Sequence, residues 1–315
     1  MSLPYFSVVI PAYNASRFIG ETLTSVLEQT FSDYEIIIVN DGSTDDTRRI
    51  IENTGDSRIR LYNIPNGGVS HARNYGISKA RGKYVAFLDA DDIWHSHHLE
   101  SANKAFVNCP DIPWYASRYE IHTARPIDWS IKTETNAAIT KYFDAACLYV
   151  HSSTVIIKRS ILNNFPQLFP ETVHNAEDWI AWAKIASSEP HILFCNIPTV
   201  IYRDAPDSAT KQDEEILHKY LAVSHHFQRL HNTTSEFRRY CRWRARERWQ
   251  IILSKYSTRR WIPFLKLYRS ELGWPTYFLL YLFSLAFHMI GLFLGKYFSI
   301  LSNYNEWQRR RNILS

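Results

Sequence analysis

The spacing of apolar positions changes along the chain, and each change predicts an element. Residues 6–11 (FSVVIP) and 34–39 (YEIIIV) are continuous β-branched runs, the pattern of strands buried on both faces. Between them, Phe18, Ile19, Leu23, Val26 and Leu27 recur at helical spacing over 17–29, with Ser16 as the expected N-cap. The turn NDGSTDDT then leads into a helix with acids in its first turn. A short strand near 59–64, the Asn66-Gly67-Gly68 turn, a helix over 70–80 and a strand over 83–88 (KYVAFL) follow.

Strand and helix alternating in this way predict an α/β domain with a doubly wound parallel sheet. Such sheets bind ligands at the carboxyl ends of their strands. Asp41, Asn66–Gly68 and Asp89–Asp92 all fall at strand ends, which argues for one shared site. From about 110 to 205 the pattern turns mixed, with strand-like runs at 153–157 and 192–202. Between these runs, a helix opens on Glu177-Asp178. From about 211 the chain reads as helix. The expected division is a catalytic domain over 1–210 and a helical region over 211–315.

Composition narrows the class. The 315 residues are 45% hydrophobic and 21% charged, which excludes low-complexity and wholly disordered chains. Cys109, Cys147, Cys195 and Cys241 are far apart, so neither a zinc site nor a disulfide framework is expected. No signal peptide is read at the N-terminus. The net charge of +5 hides an asymmetry: residues 238–269 carry +10 and the remainder −5. An acidic body argues against nucleic acid as a partner, and a local basic segment argues for an anionic surface.

The chemistry centres on Asp89-Ala90-Asp91. Two carboxylates flanking a small residue at a strand end are hard oxygen ligands suited to Mn²⁺ or Mg²⁺ with a diphosphate. Alone the triplet is weak, and a solvated turn before a helix near Ser96 explains it as well. It is accompanied, in order, by SVVIPAYN, NDGSTDDT, GGVSHARNYGI and EDWIAWAK. Together these motifs resemble the family two glycosyltransferases of GT-A fold, over roughly residues 5–205.

The resemblance implies roles for particular residues. Pro11, Ala12 and Tyr13 would cradle the nucleobase, and Asp41 would accept its imide N–H. Asn66, Gly67, Arg73 and Ala90 would lie along the nucleotide-sugar. Asp89 would touch the ribose and share a metal with Asp91. Asp178 would be the catalytic base of an inverting transfer, with Glu177 beside it. Read by themselves, Glu177 and Asp178 simply cap a helix. The sequence departs from the family where a metal-shell His is expected, since Tyr202-Arg203-Asp204-Ala205 places Ala205 there.

The C-terminal third adds a docking element. Phe237, Cys241, Ala245, Trp249, Ile252 and Tyr256 share one helical face, with arginines over the rest. This predicts contact with an anionic membrane surface. Residues 276–295 are apolar and uncharged, and about twenty residues cross a bilayer. Basic residues flank both ends, so a span and an in-plane helix fit equally. Processive synthases carry Gln-x-x-Arg-Trp; here Ser257 precedes Arg260-Trp261, which favours single addition.

The expectation is a GT-A (Rossmann-like, mostly parallel sheet) domain followed by a membrane-associated helical region. It would use a nucleotide-sugar donor, a UDP-sugar, and a lipid-linked glycan acceptor, at the cytoplasmic face of the inner membrane. The rival within this fold is a catalytically degenerate module that tethers partners at the membrane. A Rossmann dehydrogenase is disfavoured, because PAYNAS stands where GxGxxG belongs.

Overall fold

The structure is a computed structural model that describes residues 3–122, 137–142, 150–172 and 177–203. The predicted C-terminal helices, the 276–295 stretch and Ala205 lie outside the described residues. Among the described residues no helix is long and apolar enough to cross a membrane.

The first half follows the predicted alternation. Strands β1 (Phe6–Ala12) and β2 (Tyr34–Asp41) are buried at every position. Helix α1 (Ile19–Leu27) lies between them in sequence, and α2 (Thr47–Thr54) connects β2 to β3 (Ile59–Ile64). Helix α3 (Val69–Lys79) returns the chain to β4 (Tyr84–Phe87). The order β3-β2-β1-β4 is parallel throughout. Helices covering both faces account for the unbroken apolar runs. Helix α3 approaches β1 closely, and only a glycine allows it: a Cβ on Gly76 would stand 2.4 Å from Val9 Cγ1.

The second half is less parallel than the sequence suggested. β5 (Ile93–Trp94), α4 (His98–Asn108), β6 (Trp114–His122) and β7 (Ala137–Lys141) come next. They are followed by β8 (Val155–Lys158), α5 (Arg159–Leu162), α6 (Glu177–Ser188) and β9 (His191–Arg203). β8 pairs antiparallel with β4 and with β6, whereas β6 and β9 are parallel. Among the described residues this makes one nine-stranded sheet, parallel in its first half and mixed in its second.

That pairing positions the site. Because β8 runs against β4, with Ala86 opposite Ile156, the residues preceding β8 lie beside those following β4. β9 points the same way as β4, so its end at Arg203 reaches the same edge. There Arg203 N–H donates to Asp92 Oδ1 at 3.3 Å. Helix α6 is anchored by Trp182, which packs on Phe87 and Phe169 with ring centroids 5.5 and 5.4 Å away. Its first turn, carrying Glu177 and Asp178, is thereby held at the sheet's carboxyl edge.

Several predicted boundaries move. Ser16 does not cap α1; its N–H donates to Asp45 Oδ2 at 3.0 Å, while Phe18 occupies the cap position without a side-chain bond. Asp45 and Asp46 precede α2 and are not in its first turn. The strand expected from 153 begins at Val155, after a 3-10 turn at Ser152–Thr154.

Candidate active site

The loops after β1 and β2 are laced together. Asn14 adopts a left-handed φ of 47°, which asparagine tolerates. Its N–H donates to Ser43 Oγ at 3.0 Å, and its Oδ1 accepts Thr44 N–H at 2.8 Å. Pro11 and Ala12 are buried beneath, while Tyr13 is 53% exposed, an aromatic face open for stacking.

Asp41 does more structural work than the sequence suggested. Its two carboxylate oxygens accept the N–H groups of Gly67 and Gly68, each at 2.8 Å. Gly68 has a φ of 87°, so the turn needs its glycine. A nucleobase imide would use only the lone pairs of Asp41 that the turn leaves over. Asn66 is exposed beside this turn, and its backbone nitrogen would lie 2.9 Å from a Cβ on Gly42.

Arg73 is the hub. Buried on α3, it donates from Nη2 to Asp89 Oδ1 at 2.6 Å and from Nη1 to Glu177 Oε1 at 2.9 Å. Its guanidinium carbon lies 5.2 Å from the centre of the Phe169 ring. Burial works against both charges. The Arg73 guanidinium outweighs it and holds Asp89 below the ordinary carboxylate range. Asp89 and Glu177 in turn raise Arg73.

The aspartates after β4 are not equivalent. Ala90 is buried, and its C=O accepts Thr22 Oγ at 2.9 Å. Burial, and then the charge of Asp89, push the Asp91 carboxyl up. Asp92 is fully buried and pushed up further, by burial and by Asp91 and Asp89. Ser153 links them: its Oγ accepts Asp89 N–H at 3.1 Å and donates to Asp92 Oδ2.

Asp178 sits in the first turn of α6, half-buried. Trp179 N–H donates to its Oδ1 at 2.8 Å, and Ser152 Oγ lies 3.5 Å from its Oδ2. Burial and the adjacent Glu177 push its carboxyl up to about 6, against the pull of His151 and Arg73. A carboxyl in that range is suited to accept a proton near neutral pH.

Asp89, Asp92 and His151 offer ligand atoms that all lie within 4.8 Å of one another. Two carboxylates and an imidazole are a donor set that fits Mn²⁺. The expected pair was Asp89 and Asp91; this group keeps Asp89 and brings in Asp92 and His151. Sequence reasoning missed His151, Ser152 and Ser153, because no ligand spacing singles out His151 and Ser153 reads as the start of a strand over 153–157; only the β4–β8 pairing brings them to the aspartates.

A half-parallel α/β sheet whose carboxyl edge gathers an exposed aromatic, an arginine hub and clustered aspartates has the architecture of a GT-A glycosyltransferase. The sequence profile of Glycosyl transferase family 2 matches residues 7–165, and the chain belongs to that family. It is 31% identical over 240 residues to the uncharacterized glycosyltransferase EpsJ of Bacillus subtilis, covering 70% of this chain and 69% of EpsJ. Escherichia coli WfaP, a UDP-Glc:alpha-D-GlcNAc-diphosphoundecaprenol beta-1,3-glucosyltransferase, is 36% identical over 203 residues. That match covers 62% of this chain and 76% of WfaP. Among solved structures, Staphylococcus aureus TarS 1–349 in complex with UDP-GlcNAc has a TM-score of 0.61 at 23% identity. It covers 74% of this chain and 68% of that one. The Pyrobaculum calidifontis mannosyltransferase PcManGT in complex with GDP-Man and Mn²⁺ has a TM-score of 0.56 at 21% identity, covering 91% and 81%.

Proposed function

We propose that this glycosyltransferase transfers a sugar, with inversion, from a UDP-sugar to a lipid-linked glycan acceptor in cell-surface polysaccharide synthesis. The observation that carries the reading is Asp178, a carboxyl near 6 on the helix whose Glu177 shares Arg73 with Asp89. The acceptor oxygen forms a bond to the anomeric carbon as the bond from that carbon to the diphosphate breaks. Asp178 takes the hydroxyl proton on the face opposite the leaving group, and the nucleoside diphosphate departs. Tyr13, Pro11 and Ala12 form the base platform, with Asp41, Asn66 and Gly67 shaping its rim. Arg73 orients Asp89 toward the nucleotide. A divalent cation held by carboxylates of the Asp89–Asp92 turn, when bound, would neutralise charge developing on the diphosphate.

The named Escherichia coli relative supports an undecaprenol-linked acceptor, and the TarS complex supports a UDP donor. An acceptor of that kind suits the basic segment 238–269 and a place at the cytoplasmic face of the inner membrane. The test is thermal unfolding of the full chain with UDP, GDP, dTDP and CDP, each with Mn²⁺ or EDTA. Selective stabilisation by UDP with Mn²⁺ is expected, about 2.7 kcal/mol at a hundredfold excess over Kd. Absence of a shift with every nucleotide would overturn the reading.

A further inference from the structure

The proposed transfer leaves His151 without a role, yet the fold holds this side chain firmly among the acids. Its Nδ1 accepts Ser153 N–H at 3.4 Å, and Thr154 Oγ accepts the His151 N–H at 3.2 Å, a reciprocal cap on the 3-10 turn. Tyr202 and Tyr119 flank the imidazole, with ring centroids 4.9 and 5.7 Å away. Held in this way, Nδ1 lies 3.4 Å from Asp92 Oδ2.

The spacing suits one cation. In an octahedral shell with bonds of about 2.1 Å, neighbouring ligand atoms stand about 3 Å apart and opposite ones about 4.2 Å. The atoms of Asp89, Asp92 and His151 lie within 4.8 Å of one another, and His151 Nδ1 and Asp92 Oδ2 are already near the separation of neighbouring ligands, so inward rotation of these side chains would seat all three. Asp89 keeps an oxygen for this, because Arg73 engages only Oδ1. The bond from Ser153 N–H to Nδ1 is long, at 3.4 Å, and a cation on Nδ1 would take its place.

We propose that His151 is a ligand of the donor-site cation, completing with Asp89 and Asp92 a mixed nitrogen–oxygen shell. The proposal depends on the transferase reading only for the diphosphate that would share the ion. An imidazole ligand favours Mn²⁺ over Mg²⁺, which prefers oxygen. The site therefore discriminates between the two metals as well as binding them.

The test is electron paramagnetic resonance of Mn²⁺ titrated into the full chain, with and without UDP. Directly coordinated nitrogen is read from ¹⁴N modulation in pulsed spectra. The wild-type spectrum should carry that coupling, and His151→Ala and His151→Asn should lose it. Asparagine retains an acceptor for the turn, which guards against a folding artefact. Mn²⁺ affinity should fall about tenfold or more in both variants, since even outer-shell changes cost that much. The preference for Mn²⁺ over Mg²⁺ should narrow. Coupling that survives in the variants, its absence from wild-type protein with Mn²⁺ bound, or a lack of Mn²⁺ binding in either state overturns the proposal. A thermal shift with UDP that persists in His151→Ala at saturating Mn²⁺ reads the nucleotide site separately, so the transferase reading can stand when this one fails.

Discussion

Arg73 and Glu177, 104 residues apart in the chain, meet through a 2.9 Å hydrogen bond from Nη1 to Oε1. The other terminal nitrogen of the same guanidinium holds Asp89 at 2.6 Å. One buried cation thus couples the end of β4, which carries the candidate nucleotide ligands, to the helix that carries the candidate base. Removing it leaves two carboxylates facing each other without compensation. Arg73→Ala should cost about 3–5 kcal/mol of stability, read by denaturant unfolding. Arg73→Lys keeps the charge but cannot fork to both acids. It should unfold closer to wild type while losing most of its kcat. Wild-type kcat in the lysine variant would show that the fork is unnecessary.

Asp178 should set the acidic limb of the pH profile. With its carboxyl at about 6, kcat/KM should fall tenfold for each pH unit below that value. Asp178→Asn should abolish transfer while UDP binding persists. Its folded-state value lies above the unfolded one, so its contribution to stability is present at low pH and is lost as pH rises through about 6. Asp178→Asn should therefore raise Tm at pH 8 more than at pH 4. A variant that still transfers sugar would remove Asp178 from the base role.

His98 predicts an opposite trend. It is fully buried, stacks on Trp94 at 4.3 Å and shares a 2.6 Å hydrogen bond between Nδ1 and Thr199 Oγ. Burial, with His97 and His95 nearby, lowers it to about 3. Its contribution is present above the unfolded value of about 6.5 and is lost as pH falls toward 3. His98→Phe keeps the stack and should flatten the fall in Tm between pH 6.5 and 4, at a cost of about 1 kcal/mol at pH 8. An unchanged pH slope would assign the acid sensitivity elsewhere.

Two glycines should respond in opposite ways to alanine. At Gly76 the new Cβ meets Val9 Cγ1 at 2.4 Å, so Gly76→Ala should cost about 1–3 kcal/mol by overpacking. At Gly20 within α1 the nearest atom is Ile50 Cγ2 at 3.8 Å. There alanine should stabilise by about 0.5–1 kcal/mol through helix propensity. Chemical denaturation of both variants checks the pair.

Deleting residues 274–315 should shift the protein from the membrane fraction to the soluble one. Continued sedimentation with membrane would place the anchor in the arginine-rich segment 238–269. Fractionation at low and high salt separates the two, because only the electrostatic anchor weakens as salt rises.

Much of the first half was legible because its signals are local. β1, β2 and β4 are buried on both faces, so their apolar runs mark them almost to the residue, and the acids follow directly at the strand ends. The second half was harder to read. β6 mixes Arg118 and Glu120 with its apolar positions, and β5 is only two residues long. Neither has a period that a short window can detect. Ser16 misled for a related reason: cap chemistry was present, but Asp45 and Thr47, at the start of α2, captured that turn first.

Residue order alone determined the parallel half-sheet, the edge where polar loops collect, and the family to which the chain belongs. These depend on burial period and on motifs contiguous in sequence. Tertiary structure decided the rest. The antiparallel seating of β8 on β4 brought His151 and Ser153 to the aspartates. The Gly67-Gly68 turn occupied Asp41, and Arg73 was shared between Asp89 and Glu177. Each is a contact between distant segments, set by strand register and helix packing, to which no local pattern in the chain corresponds.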